Sequence, residues 1–102
     1  MVIYKIRDKA TGEFVSDLAR NDPFEIRKHR NEYAILGWKG RLWTEWGALM
    51  KFVEKLATEV RGYRDPSIKY THEDNIKQIA PHFEIVRYTI TEERVVTSVE
   101  ER

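Results

Sequence analysis

The chain has no cysteine among its 102 residues. That absence excludes disulfides, thiolate metal centres and thiol nucleophiles, and it fits a reducing compartment. Glycine and proline are scarce, with five and three residues, and the glycines stand singly, so no glycine-rich phosphate loop exists. A dominant charge sign is also missing. Eighteen Lys and Arg offset seventeen Asp and Glu for a net charge of +1, so bulk charge alone does not hold this chain on nucleic acid. No apolar run exceeds four residues, far below the roughly 20 that cross a bilayer. The charged opening also lacks the apolar region of a secretion signal. These features predict a protein without a membrane partner that stays in the cytoplasm.

What is present suits one core. The hydrophobic share is 41% and the charged share 34%, and neither a repeat nor a linker divides residues 1–102 into two domains. Val2–Arg7 alternates, with Tyr4 and Ile6 on one face and Lys5 and Arg7 on the other, as a half-buried strand does. Asp8–Gly12 is turn-rich and Glu13–Ser16 reads as the returning strand. Asp22, Pro23 and Glu25 fit the N-cap, N1 and N3 positions of a short helix inside a basic excursion from the sheet.

Tyr33–Trp38 has strand character, Lys39-Gly40 a tight turn, and Arg41–Trp43 a short strand returning from it. Thr44 is the predicted N-cap of the main helix, with Glu45 in its first turn. Leu49, Phe52, Val53, Leu56 and Val60 recur at helical spacing as its buried face, and Gly62 with Asp65-Pro66 stops it. Thr71 begins a second helix with Glu73 and Asp74 in its first turn, apolar residues Ile76, Ile79 and Ala80, and Pro81 at its end. Phe83–Ile90 is a strand with Phe83 and Ile85, and Tyr88 or Ile90, directed to the core. Glu92-Glu93 turns the chain, Arg94–Val99 forms a final strand or trails off, and the last charged residues fray. The order predicts an α+β fold: a small antiparallel sheet packed on one face by one main helix and one short helix.

Two stretches carry a resemblance. The opening Tyr4-Lys5-Ile6-Arg7-Asp8-Lys9-Ala10-Thr11-Gly12-Glu13-Phe14 and the segment Lys39-Gly40-Arg41-Leu42-Trp43-Thr44, continuing to Gly47 and Leu49, resemble a pattern in short accessory proteins of tailed bacteriophages. Phe83–Tyr88 is similar to the closing strand of such proteins. The chain departs from the pattern between Val15 and Tyr33, where it carries a longer charged insert. The resemblance implies no catalytic residues. It implies a non-enzymatic protein, made in the host cytoplasm, that binds and modulates a host protein as an anti-defence or host-takeover inhibitor.

The residues themselves point away from catalysis. His29, His72 and His82 lie far apart, and no pair has the i,i+4 spacing that presents two metal ligands from one helix face. Ser16, Ser67 and Ser98 lack a nucleophile elbow. The acids sit at caps, turns and the C-terminus, where solvation accounts for them. No catalytic group, metal or cofactor is expected.

The basic, aromatic middle is different. Arg27, Lys28, Arg30, Lys39 and Arg41 face a single acid, Glu32, and are interleaved with Tyr33, Trp38, Trp43 and Trp46. Three tryptophans within nine residues cannot all point inward, and exposed Trp, Tyr and Arg dominate interface hot spots. These nine residues form the expected partner surface, with core packing as the alternative for each single tryptophan. Such a segment also suits nucleic acid, with rings stacking bases and cations neutralising phosphates; Lys39, Arg41 and the helix start at Thr44 would then hold an anion. An edge strand or exposed ring would equally support a homodimer.

Overall fold

A computed structural model describes residues 1–21 and 30–90 of the chain. Strand β1 spans Val2–Asp8, β2 Phe14–Leu18, β3 Ala34–Gly37 and β4 Phe83–Thr89; helix α1 spans Trp46–Arg61 and α2 His72–Ile79. The strands form one antiparallel sheet in the order β3-β2-β1-β4, so the fold is α+β, with the two helices of the described residues packed on one side. The expected helix start at Asp22, Pro23 and Glu25 and the expected strand Arg94–Val99 lie outside the described residues.

The first turn is closed by a buried carboxylate. Asp8 Oδ2 accepts hydrogen bonds from the Thr11 amide and hydroxyl at 3.0 and 2.8 Å, and Oδ1 accepts from Asn31 Nδ2 at 3.2 Å. Asn31 Oδ1 in turn accepts from the amides of Tyr33 and Ala34. One acid therefore fixes both the β1–β2 turn and the entry into β3, and its burial is compensated by hydrogen bonds.

β1 pairs with β4 along its whole length, from Val2 opposite Thr89 to Asp8 opposite Phe83, but with β2 only at Arg7 and Phe14. The segment Arg41–Trp43 links the two strands beyond that point. The Arg41 amide donates to the Val15 carbonyl at 2.9 Å, and Trp43 and Tyr4 exchange two backbone hydrogen bonds at 2.8 and 2.9 Å. This corrects the expected strand at Arg41–Trp43. The segment does not run back along β3; it makes an isolated bridge to β1. Gly40 permits the crossing, because its φ is +65° and a Cβ there would lie 2.2 Å from the Phe14 Cβ.

A bulge between Val15 and Asp17 lets Val15 and Leu18, three residues apart, both reach the core. They join Ile6, Ala34, Leu36 and Phe83 beneath α1. The predicted helix face is buried at Leu49, Phe52, Val53 and Leu56 and half-buried at Val60, and Met50 and Ala57 widen it. Truncating a buried leucine of this kind costs about 2–5 kcal/mol. Gly62 ends α1 in the left-handed region, φ 86°, with its amide on the Thr58 carbonyl. At the other end the sequence expectation shifts by one residue. Glu45, not Thr44, occupies the N-cap position, and it gives no side-chain cap. The bonds that hold Trp43 to Tyr4 leave Thr44 and Glu45 as the two residues that turn the chain into the helix.

Helix α2 starts as its sequence requires. The Thr71 hydroxyl accepts from the Asp74 amide while the Asp74 carboxylate accepts from the Thr71 amide, a reciprocal cap. Those bonds, followed by the cationic neighbours Lys77 and Arg61, hold the Asp74 carboxyl below its ordinary value. In β4, Phe83 and Ile85 face the core as expected, whereas Tyr88 and Ile90 are exposed. Alternation places these two on the opposite face, and Arg87, itself exposed, follows Phe83 and Ile85 on the groove side.

Three outcomes follow for stability. Gly40→Ala should destabilise by roughly 2 kcal/mol or more in urea unfolding, and Phe14→Ala should not relieve it, since alanine keeps the clashing Cβ. Thr71→Ala should cost about 1 kcal/mol. The Asp74 contribution is fully present above the ordinary aspartate value of 3.8 and is lost as pH falls through the lower native value. The stability gap between the native chain and Asp74→Asn, followed by urea melts from pH 6 to pH 2, should therefore close on acidification.

Candidate functional site

The fold divides the predicted partner residues into separate groups. Arg27 and Lys28 lie outside the described residues. Arg30 and Tyr33 stand before β3 and Trp38 follows it, and a four-residue strand puts Tyr33 and Trp38 roughly 16 Å apart. Arg30 is half-buried; its guanidinium donates to the Ala19 carbonyl and its backbone bridges Ile35. Tyr33 packs its ring against His82 at 5.1 Å and Phe83 at 6.5 Å. A hydrogen bond to Glu32, desolvation and that carboxylate's charge raise the Tyr33 phenol above its usual range. Both residues hold the entry to β3, so sequence proximity did not make them neighbours of the tryptophans.

The other group is the connection from β3 to α1. Trp38 is 76% exposed, Leu42 52% and Trp46 45%, whereas Trp43 is only 4% exposed. Trp43 is therefore a core ring, tilted against Phe52 at 5.1 Å, and it leaves the expected partner surface. Its indole N–H has no hydrogen-bond partner among the described residues. Arg41 extends over this aromatic pair, 5.1 Å from the Trp43 ring and 5.5 Å from that of Phe52, so cation–π attraction holds its guanidinium against the molecule. The Lys39 carbonyl is fixed by Lys5 Nζ at 2.6 Å, and Lys5 lies over the Phe14 ring. The Lys39 side chain itself is exposed beside Trp38. The anion site expected from Lys39, Arg41 and Thr44 loses its cap residue, because Glu45 places an acid at the start of α1.

Trp46 borders a feature that sequence order conceals. Its ring meets Tyr4 edge-on at 5.4 Å, and together they open a groove of about 450 Å³ that continues over Ile76, Ile79, Ile85 and Arg87. β1, α1, α2 and β4 all contribute, which is why no local motif announces it. The available signal was parity: Arg87 follows Phe83 and Ile85 at a spacing of two, so a cation ends an apolar, inward-facing row.

Elsewhere the polar groups have structural tasks. A cleft of about 460 Å³ between α1 and α2 contains Arg61 and Asp74, but Arg61 stacks on Tyr70 at 3.9 Å and Asp74 caps α2. Asp65 accepts two hydrogen bonds from Ser67, which lower its carboxyl below the ordinary value. His72 is exposed at the start of α2, and His82 packs on Tyr33. Among the described residues no group of three or more His, Cys, Asp or Glu could hold a metal ion, and no helix there is long and apolar enough to cross a membrane.

No family model, curated protein or solved structure matches the chain. The surface chemistry therefore carries the functional reading.

Graded exposure of the three indoles is directly measurable. Limited oxidation with N-bromosuccinimide, followed by peptide mass spectrometry, should modify Trp38 first and Trp46 second. Trp43 should react only when the protein unfolds.

Proposed function

We propose that this protein is a non-enzymatic accessory protein of the tailed-phage type that binds and modulates a host protein. The observation that carries the reading is the exposure of Trp38, Leu42 and Trp46 along one connection, 76%, 52% and 45% respectively. Large apolar side chains left outside a core that already buries Trp43, Phe52 and Phe83 are the usual anchors of protein interfaces, where a few aromatic groups supply most of the affinity. Lys39 beside Trp38 gives the same surface a cationic component, which favours a partner with an acidic rim. The phage character, the host partner and the inhibitory outcome rest on the resemblance of the opening and of Lys39–Leu49 to phage accessory proteins. A host cytoplasm is the corresponding location.

Nucleic acid is the weaker reading. The Arg41 guanidinium is engaged with Trp43 and Phe52, and the near-neutral chain offers no broad field for phosphates.

A tagged full-length chain incubated with bacterial lysate should retain one stoichiometric protein. Trp38→Ala and Trp46→Ala should each weaken that complex by roughly tenfold or more, as interface anchors do, without shifting the melting temperature appreciably. Empty captures from several hosts, together with a mobility shift of single-stranded DNA that weakens steeply with salt, would overturn the protein-partner reading in favour of nucleic acid.

A further inference from the structure

The groove beside Trp46 follows a strand that, among the described residues, is bonded on one side only. β4 keeps a single register against β1. Met1 and Ile90 exchange two hydrogen bonds at 2.8 and 2.9 Å, and the Lys9 amide donates to the His82 carbonyl. Antiparallel ladders alternate inward-bonded and outward-directed residues, so Glu84, Val86 and Tyr88 turn their peptide groups to β1. Ile85 and Arg87 turn theirs to the outer edge, where none of the described residues pairs with them.

The side chains of these same two residues line the groove. A strand laid on the outer edge of β4 would therefore bond to Ile85 and Arg87 and place every second side chain over the groove. Apolar groups line it at Tyr4, Trp46, Ile76 and Ile79. Its rim is cationic: Arg87 has no ion-pair partner among the described residues, Lys9 lies alongside with its ammonium on the Ala80 carbonyl, and Glu84 is matched by Arg7 on the far face. A second copy of β4 would bring Phe83, Ile85, Arg87 and Thr89 in that position, a row with no acid and a repeated arginine.

We infer that the outer edge of β4 accepts an extended segment of a partner protein by strand addition, with an acidic side chain opposite Arg87 and an apolar one, two residues away, opposite Ile85. Main-chain bonds supply affinity in this mode and alternate side-chain positions supply selectivity. The inference rests on the protein-binding reading and specifies the chemistry of the segment.

The test titrates the full, ¹⁵N-labelled chain with the blocked peptide Ser-Val-Ser-Glu-Ser-Val-Ser. Binding should shift the amides of Ile85 and Arg87 and the Trp46 indole, and slow hydrogen exchange at those two amides. Replacing the peptide glutamate by lysine should weaken binding roughly tenfold, and Arg87→Glu, an exposed change, should reverse that order. A peptide methylated on its valine and glutamate backbone nitrogens should not bind. Equal binding of the methylated peptide, or shifts confined to Trp38 and Lys39, would overturn strand addition. So would concentration-dependent dimerisation without peptide that protects Ile85, which would assign the edge to a second copy. Release of a captured partner by Trp38→Ala but not by Arg87→Glu would leave protein binding standing and remove this inference alone.

Discussion

Docking of Trp43 onto β1 is the constraint on which the rest of the structure depends. Its ring fills the core against Phe52, and its backbone is held by two hydrogen bonds to Tyr4. With both ring and backbone fixed, the chain on either side has little freedom. Upstream, residues 38–42 must pass from β3 across Phe14, which requires a glycine at position 40 and leaves Trp38 and Leu42 outside. Downstream, two residues remain before the helix, so α1 opens at Trp46 and presents that ring beside Tyr4. One buried indole thus determines which aromatic groups face solvent.

Much of the architecture could be read from residue order because it is local. The alternation of Val2–Arg7, the Asp8–Gly12 turn, the spaced apolar face of α1, the Gly62 stop and the Thr71 cap are all short-range patterns with a direct physical cause. The errors arose where tertiary contacts outrank local preference. Arg41–Trp43 has strand composition, yet its hydrogen bonds go to residues nearly forty positions earlier as well as to Val15. Thr44 is the better capping residue than Glu45, yet the position of Trp43 sets the helix start. Tyr88 and Ile90 are apolar enough for a core, but β4 has one inward face and Phe83 and Ile85 occupy it.

The candidate surface was legible in composition and not in geometry. A cluster of tryptophans guarantees that some ring is exposed, but it does not say which, and Trp43 is the one withdrawn. Arg30 and Tyr33 belong to the same stretch of sequence yet serve the entry to β3. The groove along β4 was out of reach, since it joins Tyr4 to Arg87 across a register that only the folded sheet reveals.

The buried indole of Trp43, whose N–H finds no partner among the described residues, has an optical consequence. A tryptophan sealed in an apolar interior, with no acceptor for its N–H, emits at the blue end of the range for that fluorophore, while one bathed in water emits towards the red. Trp43 and Trp38 represent these two extremes in the same molecule. The native emission band should be correspondingly broad, with its red flank reporting on events at the connection and its blue flank on the integrity of the interior, so the two can be followed without any added label.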